Sequence, residues 1–136
     1  MRSNKDSYYC PPSISILRIS RICYEAERGI SYACDEPFQP KWEDAPALVR
    51  KRVIKRVLRA IIEPHLSCRA MHDRWLNRKL REGWSYNSHN IIDDTNKKHP
   101  HILPFESLPA EVQVKYHVFY TVVHGLVSVM EKQKKR

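Results

Sequence analysis

The sequence predicts an all-α domain of about four main helices, with a long ordered loop between the last two. Three observations carry that prediction. Apolar residues recur with a helical period in four separate stretches. Start and stop residues bracket those stretches, with Pro46, Ser67 and Pro109 at starts and Gly29, Pro64 and Gly83 at stops. Between Gly83 and Pro109 the pattern lapses into a polar connection carrying Trp84, Tyr86, Asp93, Asp94, Lys97, Lys98, His99 and His101. Connections of that length in a compact domain are characteristically functional.

Residues 1–13 are polar and contain Pro11-Pro12, so they are expected to form a flexible lead, with 14–136 as a single domain. Ile16, Ile19, Cys23 and Ala26 place a first helix over Ser15–Arg28, with Gly29 as its stop. Ile30–Trp42 holds Pro37 and Pro40 and reads as a loop. A second, strongly amphipathic helix starts at Asp44 or Ala45, with Pro46 tolerated in its first turn. Val49, Val53, Val57 and Ile61 form one apolar row beside Ile54, Leu58 and Ile62, and Arg50, Lys51, Arg52, Lys55, Arg56 and Arg59 fill the remaining arc before Pro64 ends the helix. Ser67 is a good N-cap for a third helix, in which Cys68, Met71, Trp75 and Lys79 make one row and His72, Leu76 and Leu80 the next. Gly83 is its natural C′ residue. The fourth helix opens at Leu108-Pro109-Ala110-Glu111, with Pro at N1 and Glu at N3, and runs through Val112, Tyr116, Phe119, Val123, Leu126 and Met130. Its tail EKQKKR puts cations where the helix dipole favours them.

Composition narrows the function classes. With 42% hydrophobic and 29% charged residues the chain can bury a real core. No apolar run approaches the ~20 residues of a membrane span, and the amino terminus lacks the apolar segment of a secretory signal, so a cytoplasmic protein is expected. Cys10, Cys23, Cys34 and Cys68 contain no C-x-x-C pair and read as reduced thiols, with Cys23 and Cys68 in the core. A formal charge of +9 favours anionic partners without choosing among them.

An enzyme is not expected. There is no G-x-S-x-G, P-loop or H-E-x-x-H, and three glycines cannot build a phosphate loop. Asp93-Asp94 resembles a pair of turn formers more than an acid/base pair, and His99 with His101 lacks further metal ligands at a regular spacing, so no metal or cofactor is expected. Binding suits the residues better. Trp75, Trp84 and Tyr86 lie close in sequence to Lys97, Lys98 and His99, and rings with cations can take a nucleotide: bases stack at ~1–3 kcal/mol each and phosphates meet the cations. Each tryptophan can equally serve the core; Trp75, on an apolar helix face, is the stronger core candidate and Trp84, just past the glycine, the better platform. The alternative is a protein- or nucleic-acid-interaction module using the basic Arg50–Arg59 helix face, although such a face is usually solvated surface.

Four motifs in series resemble the ryanodine receptor repeat, or RyR domain: H-x-x-W at His72–Trp75, K-L-x-x-G-W-x-Y at Lys79–Tyr86, D-D-x-x-K-x-H-P at Asp93–Pro100 and L-P-F-x-x-L-P at Leu103–Pro109. The resemblance covers about residues 65–127, with weaker similarity at 23–29 and 39–46 to small single-repeat proteins of phages and bacteria. It implies a helical module whose long loop packs back on the helices. It also implies binding or sequestration of a nucleotide-derived ligand, of the ADP-ribose, cyclic ADP-ribose or adenine nucleotide class, as a signal sensor or anti-defence sponge. Residue by residue, the resemblance makes Trp75 or Trp84 the stacking platform, and Lys79, Lys97 and His99 the phosphate or ribose contacts. Tyr86 and Asp93 would shape the pocket or hydrogen-bond the base, and His72 belongs to the matching motif. Paired repeats sandwich their ligand; here the second face would come from Trp42 or from a homodimer.

Overall fold

The computed structural model describes residues 13–134. The expected lead at 1–13 therefore falls, but for Ser13, outside the described residues. The chain is mostly helical: α1 (Ser13–Ala33), α2 (Ala47–Ile62), α3 (Cys68–Arg81) and α4 (Ala110–Lys134), joined by irregular segments that include 3-10 turns at Trp42–Asp44 and Phe105–Ser107. No helix among the described residues is long and apolar enough to cross a membrane. The contacts gather into two compact units, one of residues 1–65 and 115–136, the other Leu66–Val114.

In the first unit α1 packs along α2. Ile19, Cys23, Val57, Ala60, Phe119 and Val123 are wholly enclosed and Val53 nearly so, which confirms the core placement of Cys23 and the Val53–Val57 row; Ile62, expected on the apolar side of α2, is instead exposed at the helix end. Arg56 of α2 is partly buried. Its guanidinium pairs with Glu27 of α1 at 3.1 Å and lies 4.2 Å from the centre of the Phe119 ring of α4. Tyr120 donates its hydroxyl to the Pro64 carbonyl at 2.5 Å, and Lys115 pairs with Glu36 at 2.5 Å, fastening α4 at both ends of this unit.

Helix boundaries depart from the expected ones for local reasons. Gly29 does not stop α1. The helix continues to Ala33, with Ser31, two residues past the glycine, buried, and it ends where Asp35 takes a left-handed φ of 56°. There the Glu36 N–H reaches the Ser31 carbonyl and the Asp35 N–H that of Tyr32, the two bonds of a Schellman closure. Asp44 sits in a 3-10 turn, not in α2, and Pro46 is the residue before the helix, its carbonyl accepting from Arg50. Pro109 likewise precedes α4, its carbonyl accepting from Val112 and Gln113. In both cases the proline acts as an entry residue one place earlier than N1.

In the second unit, α3 starts where expected, with Ser67 Oγ accepting from the Ala70 N–H at 3.1 Å. The long connection is folded back on itself. Ser85–Tyr86 pairs in parallel with Lys98–His99, and Asp93 makes an antiparallel bridge to Lys98. Phe105 and Leu108 then insert into the unit's core with Ile102 and Cys68.

Candidate functional site

The end of α3 places the first two side chains of the site. Gly83 adopts φ +91°, its N–H bonds to the Leu80 carbonyl, and the Trp84 N–H bonds to the Lys79 carbonyl at 3.0 Å. In this closure the residue after the glycine meets the residue five positions earlier, usually through an apolar contact. Here the pair is Trp84 and Lys79, and the contact is a cation on a π face: the ammonium lies 4.6 Å from the indole centre. A helix stop thus creates a ring with a cation beside it.

His99 enters through the parallel pairing with Tyr86, its carbonyl accepting from the Asn87 N–H. Its ring stands edge-on to Trp75 at 4.9 Å and to Trp84 at 6.2 Å, and lies 5.0 Å from His101. The His101 N–H donates to Nδ1 of His99 at 2.9 Å, so in the neutral ring the hydrogen sits on Nε2. Burial pushes the His99 pKa down to about 4; His101, Lys79 and His72 act in the same direction, and Asp94 opposes them. His99 is therefore neutral at physiological pH, with Nε2–H as its donor. Trp75, Trp84 and His99 are half-buried and Tyr86 is 48% exposed; ring and cation contacts bring Trp75, Trp84, His99 and Lys79 into one cluster. Tyr86 flanks it through strand pairing, with no ring contact among the described residues.

Other expected site residues have structural work instead. His72 is 1% exposed; its Nε2–H donates to the Leu103 carbonyl at 2.7 Å, and its ring stacks on Trp75 and tilts against Phe105. It is a core residue that backs Trp75. Lys97 adopts a left-handed φ of 54° and donates its ammonium to the Glu82 carbonyl at 2.8 Å, satisfying the end of α3. Asp93 accepts from the Asn96 side-chain amide and backbone N–H, and these bonds hold its carboxyl below the usual range. It builds the turn that returns the chain to Lys98. Trp42 belongs to the first unit, where its ring is buried edge-on against Tyr24 at 5.6 Å and its backbone N–H donates to the Glu25 carboxylate. That ring is spent on the core, so it is no exposed stacking face.

The residue missed as part of the cluster is His101, whose backbone fixes the form of His99. The only signal for it was the His-x-His spacing, which reads as readily for a metal. The basic face of α2 is smaller than expected. Arg56 and Arg59 are both ion-paired, the latter with Glu63 at 3.4 Å, and Arg50, Lys51, Arg52 and Lys55 remain of the six.

The model of one family, described as the RyR domain, matches residues 45–127. The chain belongs to that family. The RyR domain match takes in α2 as well as the second unit, so it reaches further upstream than the motif resemblance alone. Within it lie Lys79, Trp84, His99 and His101, the residues of the cluster. No curated protein matches this RyR domain chain.

Proposed function

We propose that this RyR domain binds a nucleotide-derived ligand without transforming it, through the cluster of Trp84, Lys79, Trp75 and His99. The observation that carries the reading is the Lys79 ammonium held 4.6 Å from the Trp84 ring by the helix closure. A base stacked on that indole has a cation beside it for the phosphate, and the neutral His99 and the two indoles add N–H donors for oxygen acceptors. The ligand class is that of adenine nucleotides, ADP-ribose and cyclic ADP-ribose. Sequestration lowers the free concentration of such a signal, a role that suits a phage-encoded, single-repeat protein acting in the host cytoplasm as an anti-defence sponge. A homodimer supplies the second stacking face, since Trp42 is committed to its own core.

Calorimetry with ADP-ribose, cyclic ADP-ribose, AMP and ATP tests this. At least one is expected to bind at millimolar Kd or tighter, with products absent after incubation. Trp84→Ala, its fold checked by circular dichroism, is expected to weaken binding about tenfold, the loss of ~1–3 kcal/mol of stacking. No heat from any of the four, or an unchanged affinity in the folded variant, overturns the reading.

A further inference from the structure

We infer that α4 is a dimerisation helix, whose outer face takes the same face of a second copy in an antiparallel two-fold contact. The inference stands on α4 itself and holds whether or not the ring cluster takes a ligand. No Asp, Glu, Lys or Arg occurs between Lys115 and Glu131. A surface helix of a globular chain normally turns charged residues outward, away from its apolar stripe. The inner side of α4 is ordinary core, with Val112, Phe119 and Val123 buried. At helical spacing the opposite side carries Val114, Val118, Thr121, Gly125 and Val129, with Val122 at its edge. Val114 is 47% exposed and Val129 52%, Thr121 and Gly125 are exposed, and Val118 and Val122 are half-buried. This is an uncharged, β-branched face left in water.

Symmetry, the glycine and charge choose a second copy as the occupant. The face is symmetric about the Thr121–Val122 step: an antiparallel copy sets Val114 against its Val129 and Val118 against its Gly125, and the two-fold repeats both contacts. Exposed valines close the two ends, and the glycine provides the hollow that a valine knob fills. Nothing in its own chain requires Gly125. It sits inside the helix without a positive φ, and a Cβ built on it meets nothing within 4 Å. Glycine is a poor helix former, so its place here is explained by the close approach of another helix. Charge agrees: the chain carries +9, and an anionic partner would find no cation on this face, whereas two cationic copies meet here with least repulsion. The contact covers ~22 Å of one helix, less than a standard interface, so a dimer of micromolar Kd is expected.

Sedimentation equilibrium of the full chain without nucleotide, up to about 500 µM, tests this. The wild type is expected to form a dimer with Kd below about 200 µM. Thr121→Arg brings two cations together at the two-fold, and Val129→Glu sets a charge against an apolar partner. Both positions are exposed, so the fold, checked by circular dichroism, survives. Each variant should weaken association at least about tenfold. The double variant Val114→Lys/Val129→Glu should return to within about threefold of wild type, because the antiparallel register sets each new cation against the other copy's new anion. A parallel register would oppose like charges instead. A chain that stays monomeric throughout overturns the inference, as does a dimer that Thr121→Arg and Val129→Glu leave intact or that the double variant fails to restore. Binding of the monomer to neutral phosphatidylcholine vesicles, lost in Thr121→Arg, in place of self-association overturns it too. None of these outcomes touches ligand binding at the Trp84 cluster, which calorimetry decides separately.

Discussion

At the scale of single residues, His99 couples the site to acid stability. The unfolded chain takes up a proton on this ring below about 6.5, and the folded chain refuses it until about 4. Stability is therefore full above that window and falls as pH drops through it, by about 1–2 kcal/mol once the half exposure of the ring is allowed for. Urea midpoints at pH 7.5 and 4.5 check this, and His99→Gln should remove most of the difference. His72→Ala should cost about 3 kcal/mol at any pH, since it empties a fully enclosed site and orphans the Leu103 carbonyl. The enclosure of His72 was legible: it shares a helical row with Leu76, and the motif made it look like a ligand contact only because Trp75 follows at one turn. The tie between Lys97 and Glu82 was not legible, because nothing local to either residue specifies a bond across fifteen positions.

At the scale of elements, the start of α3 and its closure at Gly83 followed from Ser67 and the glycine as written. The end of α1 did not. A glycine stops a helix only when the next turn has nothing to gain, and Ser31 is buried there. Gly29 is exposed within α1, and a Cβ built on it meets nothing within 4 Å; the same holds for Gly125 in α4. Gly29→Ala and Gly125→Ala should each stabilise the fold by about 0.5–1 kcal/mol, read as a higher melting temperature. Gly83→Ala should do the opposite, costing about 1 kcal/mol or more, because φ +91° is strained for any L side chain although the space beside Lys97 is ordinary. If the Trp84 platform depends on this closure, ligand affinity falls with it.

At the scale of the whole molecule, the all-helical class was readable from period and capping residues, and the aromatic content marked the stretch that folds into the ring cluster. The two-unit organisation was not, since α4 reads as one uninterrupted helix whose residues serve both. Not all of the +9 charge is free surface. Arg56 is partly buried, bonded to Glu27 and lying over Phe119. Arg56→Met should cost about 1–3 kcal/mol by leaving Glu27 without this partner, whereas Arg52→Glu and Lys55→Glu should shift stability by less than about 0.5 kcal/mol. Denaturation curves of the three variants separate the partly buried, ion-paired cation from the exposed ones.

The excursion from Gly83 to Lys98 is cinched at its base. The Lys97 ammonium on the Glu82 carbonyl, the Ser85 N–H on the Lys97 carbonyl and the paired bonds of Asp93 with Lys98 act as successive clasps. Above them Ile91 and Ile92 stand out in solvent. A guest sequence spliced between those isoleucines would inherit two fixed anchor points and add only slowly growing closure entropy, ~0.6 kcal/mol per doubling of length. A fluorescent reporter placed there would sit on the same folded loop as His99.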